Sequence, residues 1–247
     1  MCMKLFQGDC LELMKDIPDN SIDMILCDLP YGTTACKWDT IIPFEPLWDQ
    51  YNRIIKDNGA IVLFGSEPFS TELRHSNLKR YKYDWVWNKK LAGNGILAKK
   101  QPLKIHENIM VFNTTIYYPQ MTKGKMRKKM GLKESEITGG DSFVAEYTND
   151  EYYPQSIQEF SIANMRKGRL HPTQKPVSLL EYLIKTYTNE GDTVLDNCMG
   201  SGSTGVACVH TSRKFIGIEL EETYFNIAKN RIEEAETAVR QNKEVER

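Results

Sequence analysis

Apolar residues in this chain fall into short blocks, separated by stretches with helical spacing. Lys4-Leu5-Phe6-Gln7-Gly8-Asp9 reads as a brief strand closing in a Gly-Asp turn. Leu11, Leu13, Met14 and Ile17 then share one helical face, which Pro18 stops. Met24-Ile25-Leu26-Cys27, bounded by Asp23 and Asp28, has the pattern of a buried strand. A helix is predicted over 43–57, opened by Pro43 or Pro46 and stopped by Asn58-Gly59, with Leu47, Trp48, Tyr51, Ile54 and Ile55 on its apolar side. Ala60–Phe64 is the next buried strand, and a further helix is expected from Pro68 to Asn77. Residues 83–88 alternate and 107–112 follow as another strand, with a Gly-, Asn- and Lys-rich loop over 91–101. Residues 114–169 show no clean period and are expected to form an inserted, partly mobile segment outside the sheet. Order returns with Val177, Leu179, Leu180, Leu183 and Ile184 on one helical face, strands at 193–196 and 214–219, and a closing helix over 221–239. Seven strands alternating mostly with helices predict an α/β fold, a mostly parallel seven-stranded sheet with helices on both faces.

Composition agrees with a single large α/β domain spanning 1–247: hydrophobic residues make up 40% and charged residues 26%. No apolar run approaches a membrane span, and the first residues lack the charged-then-apolar pattern of a secretory leader. The six cysteines form no C-x-x-C pair and no zinc spacing, so reduced thiols in the cytoplasm and no bound metal are expected. The net charge of −1 conceals an asymmetry. Residues 79–133 hold 14 Lys/Arg against Asp84 and Glu107, a local charge of +12, which leaves −13 for the rest. Residues 134–160 hold seven acids and no Lys or Arg. The basic block, with Lys123, Lys125, Arg127, Lys128, Lys129 and Lys133 at its dense end, points to a polyanionic partner; the competing reading is a solvated loop.

Two strand tips carry candidate chemistry. Asp28-Leu29-Pro30-Tyr31-Gly32 sets a carboxylate beside carbonyls held by proline and beside a flat aromatic ring. That set suits a planar ring bearing an amine. The polar loop from Thr33 to Ile42, with Trp38, has the length of a flap over a pocket. The second tip is Asp196-Asn197-Cys198-Met199-Gly200-Ser201-Gly202-Ser203-Thr204-Gly205, a G-x-G-x-x-G turn between a strand and a helix. Glu219 ends the following strand. Such a turn lets backbone approach an adenosine-containing cofactor, and the acid can accept from ribose hydroxyls. Alone, it does not separate a dinucleotide from S-adenosylmethionine.

The two tips together resemble the amino-methylating (N6-adenine/N4-cytosine) DNA methyltransferases, whose signature is Asp/Asn/Ser-Pro-Pro-Tyr. The leading aspartate is most similar to the adenine-specific type. The order, catalytic motif first and cofactor glycines last with a recognition insert between, resembles the permuted beta group. The resemblance covers 3–112 and 170–232 and implies a Rossmann-like fold, S-adenosylmethionine as cofactor, and transfer of its methyl group to N6 of an adenine flipped out of duplex DNA. It implies that Asp28 and the carbonyl of Leu29 accept from the target amine, that Pro30 fixes the turn and that Tyr31 stacks on the base. It places Asp9 and Cys10 at the cofactor's adenine and Glu219 at its ribose. It places Asp196, Cys198, Gly200, Ser201, Gly202, Ser203 and Thr204, with Thr173 and Lys175, around the methionine end. Trp38, Trp85 or Trp87 could add stacking, though core packing is the favoured reading for at least one of Trp85 and Trp87. A target-recognition role for 114–169 and a homodimer also follow from the resemblance. Two departures stand out: Leu29 replaces the first proline, and Asn197-Cys198-Met199-Gly200 lacks the aromatic residue common near the first glycine. Competing readings are cytosine N4, RNA or protein amide methylation, a nicotinamide-dependent oxidoreductase, or DNA binding without catalysis.

Overall fold

Alternating burial along the central strands decides the architecture. In the computed structural model, which describes residues 2–34, 39–129, 147–162 and 174–245, Met24 and Leu26 of strand β2 (Ile22–Cys27) face one core and Ile25 and Cys27 the other. Strand β3 (Ile55–Gly65) divides likewise: Val62 and Phe64 join the first core, Ile61 and Leu63 the second. Side chains of successive strand residues point to opposite faces, so a strand apolar at every position must be covered on both. The first face is covered by α4 (Val177–Tyr187), α5 (Ser203–His210) and α6 (Glu222–Val245). The second is covered by α1 (Cys10–Leu13), α2 (Phe44–Ile54) and α3 (Phe69–Ser76).

Among the described residues the sheet has eight strands, in the order β1-β10-β9-β2-β3-β5-β4-β8. Here β1 is Met3–Gln7, β4 Tyr81–Asn88, β5 His106–Phe112, β8 Ile157–Glu159, β9 Thr193–Asp196 and β10 Lys214–Glu219. The seven strands expected from sequence are present, and the eighth, β8, pairs in parallel with the end of β4. Three residues are too short to leave a periodic signal, so this piece of the insert joins the sheet unannounced. Strands β1, β10, β9, β2 and β3 are mutually parallel, whereas β5 runs antiparallel to β3 and β4.

Connections leave the centre in opposite directions. From β9 the chain crosses through α5 to β10; from β2 it crosses through α2 to β3. The carboxyl ends of β9 and β2 therefore flank a topological switch point, where open parallel sheets form a crevice.

One boundary departs from expectation. The helix predicted over 43–57 ends at Ile54, and Asn58-Gly59 lies within β3. Ile55 pairs with Ile22 on β2, and Lys56 Nζ lies 2.6 Å from Asp23 Oδ1. Long-range pairing ends the helix before its local stop signal.

The chain divides into two compact units, Met1–Tyr118 with Ser156–Arg247, and Pro119–Gln155. In the second unit β6 (Thr122–Lys129) pairs antiparallel with β7 (Tyr147–Tyr152). Trp85 and Trp87, 3% and 2% exposed, are core residues; their indole N–H groups donate to Tyr187 Oη (2.6 Å) and the Phe160 carbonyl (2.8 Å).

Candidate active site at the sheet switch point

Four parallel strand tips meet around one cavity of about 360 Å³, within the range of small-ligand sites. Its walls include Asp9 and Cys10 after β1, Asp28 to Tyr31 after β2, Asp196 to Ser201 after β9 and Glu219 at the end of β10. The two motifs, about 170 residues apart in sequence, open into the same space.

Asp28 is held at both carboxylate oxygens. Tyr31 Oη donates to Oδ1 at 2.6 Å, and Lys175 Nζ lies 2.5 Å from Oδ2. Lys175 is also 3.4 Å from Glu107 Oε2, an ionic contact without hydrogen-bond geometry, and Lys89 Nζ is 3.0 Å from Glu107 Oε1. The result is an alternating row of charge, Asp28, Lys175, Glu107, Lys89. Burial pushes the Asp28 carboxyl above its usual range, and Lys175 pulls it part of the way back. Burial also opposes the Lys175 ammonium, but Asp28 and Glu107 outweigh it and raise its pKa. At Glu107 burial is outweighed by Lys175 and Lys89, which lower it. The sequence placed Lys175 among candidate cofactor contacts; its partners are carboxylates, and it still lines the cavity.

The rest of the first motif is held by its loop. The Asp39 carboxylate accepts from the backbone N–H groups of Gly32 (2.9 Å), Thr33 (3.0 Å) and Thr34 (2.7 Å). The Tyr31 ring stacks on Phe69 with centroids 4.9 Å apart. Leu29, at the position of the missing proline, is 3% exposed and packs into the second core. Hydrophobic burial thus secures a turn that a ring would otherwise stiffen.

On the opposite wall, Asp196 accepts from Thr204 Oγ1 (2.6 Å) and Cys198 N (3.1 Å), and burial raises its carboxyl to about 6. Glu219 accepts from Gly200 N (2.8 Å) and Glu221 N (2.9 Å), tying the glycine turn to the tip of β10. Gly202 has φ +78°, and a Cβ there would lie 2.9 Å from Ala228 Cα of α6. Arg231 of α6 donates to Ser201 Oγ (3.0 Å) and Ser203 Oγ (3.3 Å), and Ser203 and Thr204 open α5. Asp9 is the N-cap of α1, its Oδ1 accepting from Leu11 N and Glu12 N. Beneath the turn, Asn197 Nδ2 lies 3.6 Å from the sulfurs of Cys10 and Cys198.

The glycine turn, the buried acids and the cavity fit an adenosine-containing cofactor. A family model of DNA methylases matches residues 22–230. The chain belongs to the N6/N4 DNA methylase family. Among relatives of this methylase, DNA adenine methyltransferase YhdJ of Escherichia coli is 30% identical over 94% of this chain and 83% of its own. Type II methyltransferase M.HpaI of Haemophilus parainfluenzae is 27% identical over 94% and 75%. The crystal structure of the M1.HpyAVI–SAM complex superposes with a TM-score of 0.62 at 25% identity, covering 93% of this chain and 98% of the other.

Not every residue singled out from sequence sits at the cavity. Trp38, Lys133 and Thr173 lie outside the described residues, as do the side chains of Lys128 and Lys129. Lys123, Lys125 and Arg127 are exposed on β6 of the second unit, where the Arg127 guanidinium stands 4.0 Å from the centroid of the Tyr152 ring. Glu107 and Lys89 were missed. No spacing rule links Lys89 to Glu107; they meet because β4 and β5 are antiparallel.

Proposed function

We propose that this methylase transfers a methyl group from S-adenosylmethionine to N6 of an adenine in duplex DNA, with the target base turned out of the helix. The observation that carries the reading is the single cavity shared by Asp28 and the glycine turn. The leading aspartate of the first motif and the adenine specificity named for YhdJ favour adenine over cytosine.

When bound, the cofactor supplies an electrophilic sulfonium methyl group. The turn from Asp196 to Thr204 and the backbone after β1 would hold it, with Glu219 toward its ribose. The chain's remaining work is orientation. An adenine amine is a weak nucleophile because its lone pair is delocalised into the ring. Asp28 Oδ and the Leu29 carbonyl, aimed at its two hydrogens, favour a pyramidal nitrogen whose lone pair points at the methyl carbon. Among the described residues each Asp28 oxygen has one donor, which leaves a further lone pair for the amine. As the nitrogen–carbon bond forms, the carbon–sulfur bond would break and leave a neutral thioether; the nitrogen gives up a proton, and a carboxylate with proton affinity raised by burial is suited to receive it. Tyr31 offers its ring to the extruded base, and the lysine-rich segments meet phosphates.

We assign target recognition to the second unit, Pro119–Gln155, and its flanking residues within 114–169. A homodimer in the cytoplasm completes the reading; among the described residues no helix is long and apolar enough to cross a membrane. The test is incubation with unmethylated duplex DNA and methyl-labelled S-adenosylmethionine, followed by nucleoside analysis and sequencing that reports modified bases. Label in N6-methyladenine at a fixed site is expected, and Asp28→Ala should abolish it while cofactor binding persists. Transfer by the Asp28→Ala protein at the normal rate would overturn the assignment.

A further inference from the structure

Apart from Lys89 at its base, the loop between β4 and β5 has no part in the site described above, yet it rises from the same edge of the sheet. Asn88 and His106 at its base are paired, and Gly65, at the tip of β3, is paired with Asn108. Lys104 Nζ donates to Ser66 Oγ just past that tip. Two strand spacings separate β5 from β2, so the base of the loop stands roughly 10 Å from the Asp28 tip.

The loop is held by its own bonds. Asn94 Oδ1 accepts from Lys104 N at 2.7 Å, and Asn94 Nδ2 donates to the Pro102 carbonyl at 3.2 Å. A tight turn over Gly95–Leu97 is closed by Leu97 N to Asn94 O (2.9 Å) and followed by Lys100 N to Leu97 O (2.8 Å). At the tip of this stapled structure, Ile96 is 99% exposed. Leu97 and Leu103 are 39% and 49% exposed. A lone exposed aliphatic residue is ordinary. An apolar tip on an ordered loop is less so, and its setting is cationic. Residues 89–106 hold five lysines and no acid, and among the described residues neither Lys99 nor Lys100 pairs with a carboxylate.

We infer that this loop is a wedge for duplex DNA: Ile96 enters the stack beside the target base, and Lys99 and Lys100 take the flanking phosphates. Apolar side chains inserted between base steps unstack them, and extrusion of a base leaves a gap that such a side chain can fill. The charge pattern favours DNA over a second protein surface, because phosphates satisfy the lysines while the stack buries the isoleucine. The inference rests on the DNA-methylating reading and adds the element that stabilises the opened duplex.

The test uses two duplexes carrying the recognition site found by sequencing. In one the target adenine is normally paired; in the other it faces an abasic position and is already unpaired. Single-turnover methyl transfer is measured for the full chain and for Ile96→Ala. On the paired duplex the variant should be about tenfold slower or more, since it forfeits part of the few kcal/mol needed to open a pair. On the abasic duplex it should match the parent within about twofold. Lys99→Ala with Lys100→Ala should flatten the salt dependence of binding by about 1.8 in the log–log slope. Equal slowing on both duplexes, or none on either, overturns the wedge. A changed oligomeric state in sedimentation without duplex-selective slowing also overturns it and assigns the loop to a protein contact. Asp28→Ala should be inactive on both duplexes; activity there would strike the site assignment, not the wedge.

Discussion

Asp28, the proposed acceptor for the target amine, is already engaged in the structure, with a phenol on one oxygen and an ammonium on the other. Lys175 is itself balanced by Glu107, so no member of the row lacks an opposite neighbour. Lys175→Met removes the cation and leaves a buried carboxylate. An unpaired buried charge costs about 3–5 kcal/mol, so the group takes up a proton instead. The sign follows: burial already raises the Asp28 pKa and Lys175 opposes it, so losing the lysine raises it further. The acid limb of the single-turnover rate should move to higher pH in Lys175→Met, with the neutral-pH rate down at least about tenfold. An unmoved limb would show that the lysine only packs. At this scale the sequence disclosed what lies close together in it. Asp28, Pro30, Tyr31 and the glycines could be read as local motifs. Glu107 could not, because a carboxylate at a strand start carries no mark of the two lysines that fold onto it.

Elements place these residues through contacts that local patterns do not contain. The apolar face of α2 was legible, and so was the strand after it, but their boundary was set by Ile55 pairing with Ile22. The glycine turn was legible as a turn; what it rests on was not. Gly202 sits against the backbone of α6, so the helix that closes the chain forms the underside of the glycine turn. Gly202→Ala combines a left-handed φ with a contact to Ala228 Cα, which cannot yield as a flexible side chain would. Strain of this kind costs about 1–3 kcal/mol. The variant should show a lower unfolding midpoint and weaker S-adenosylmethionine binding by titration calorimetry, while Gly191→Ala, with open space around its Cβ, should leave cofactor affinity alone.

At the scale of the molecule, the basic segments belong to different units: the lysines of 89–104 to the first, and Lys123, Lys125 and Arg127 to the second. Sequence showed one continuous basic block because charge counting ignores which residues fold together. Missing periodicity led to an insert being expected over 114–169; the second unit is Pro119–Gln155, and β8 and Tyr118, within that stretch, belong to the first unit. Replacing Pro119–Gln155 by a short Gly/Ser linker should leave cofactor binding within about threefold, since the cavity is built from the first unit. DNA binding should weaken, and the slope of log affinity against log salt should fall by about 0.9 for each phosphate contact removed. Titrations between about 50 and 200 mM salt would measure both.

The position of β9 between β10 and β2 carries a consequence for anyone who divides this chain. Broken between Tyr118 and Ser156, it yields one piece with Asp28 and another with the glycine turn, and the middle of the sheet forms only on their reunion. Co-expressed halves fused to two interacting proteins should therefore restore methylation, and halves fused to non-interacting ones should not. A host genome would then keep a chemical record of whether the two fused proteins had met.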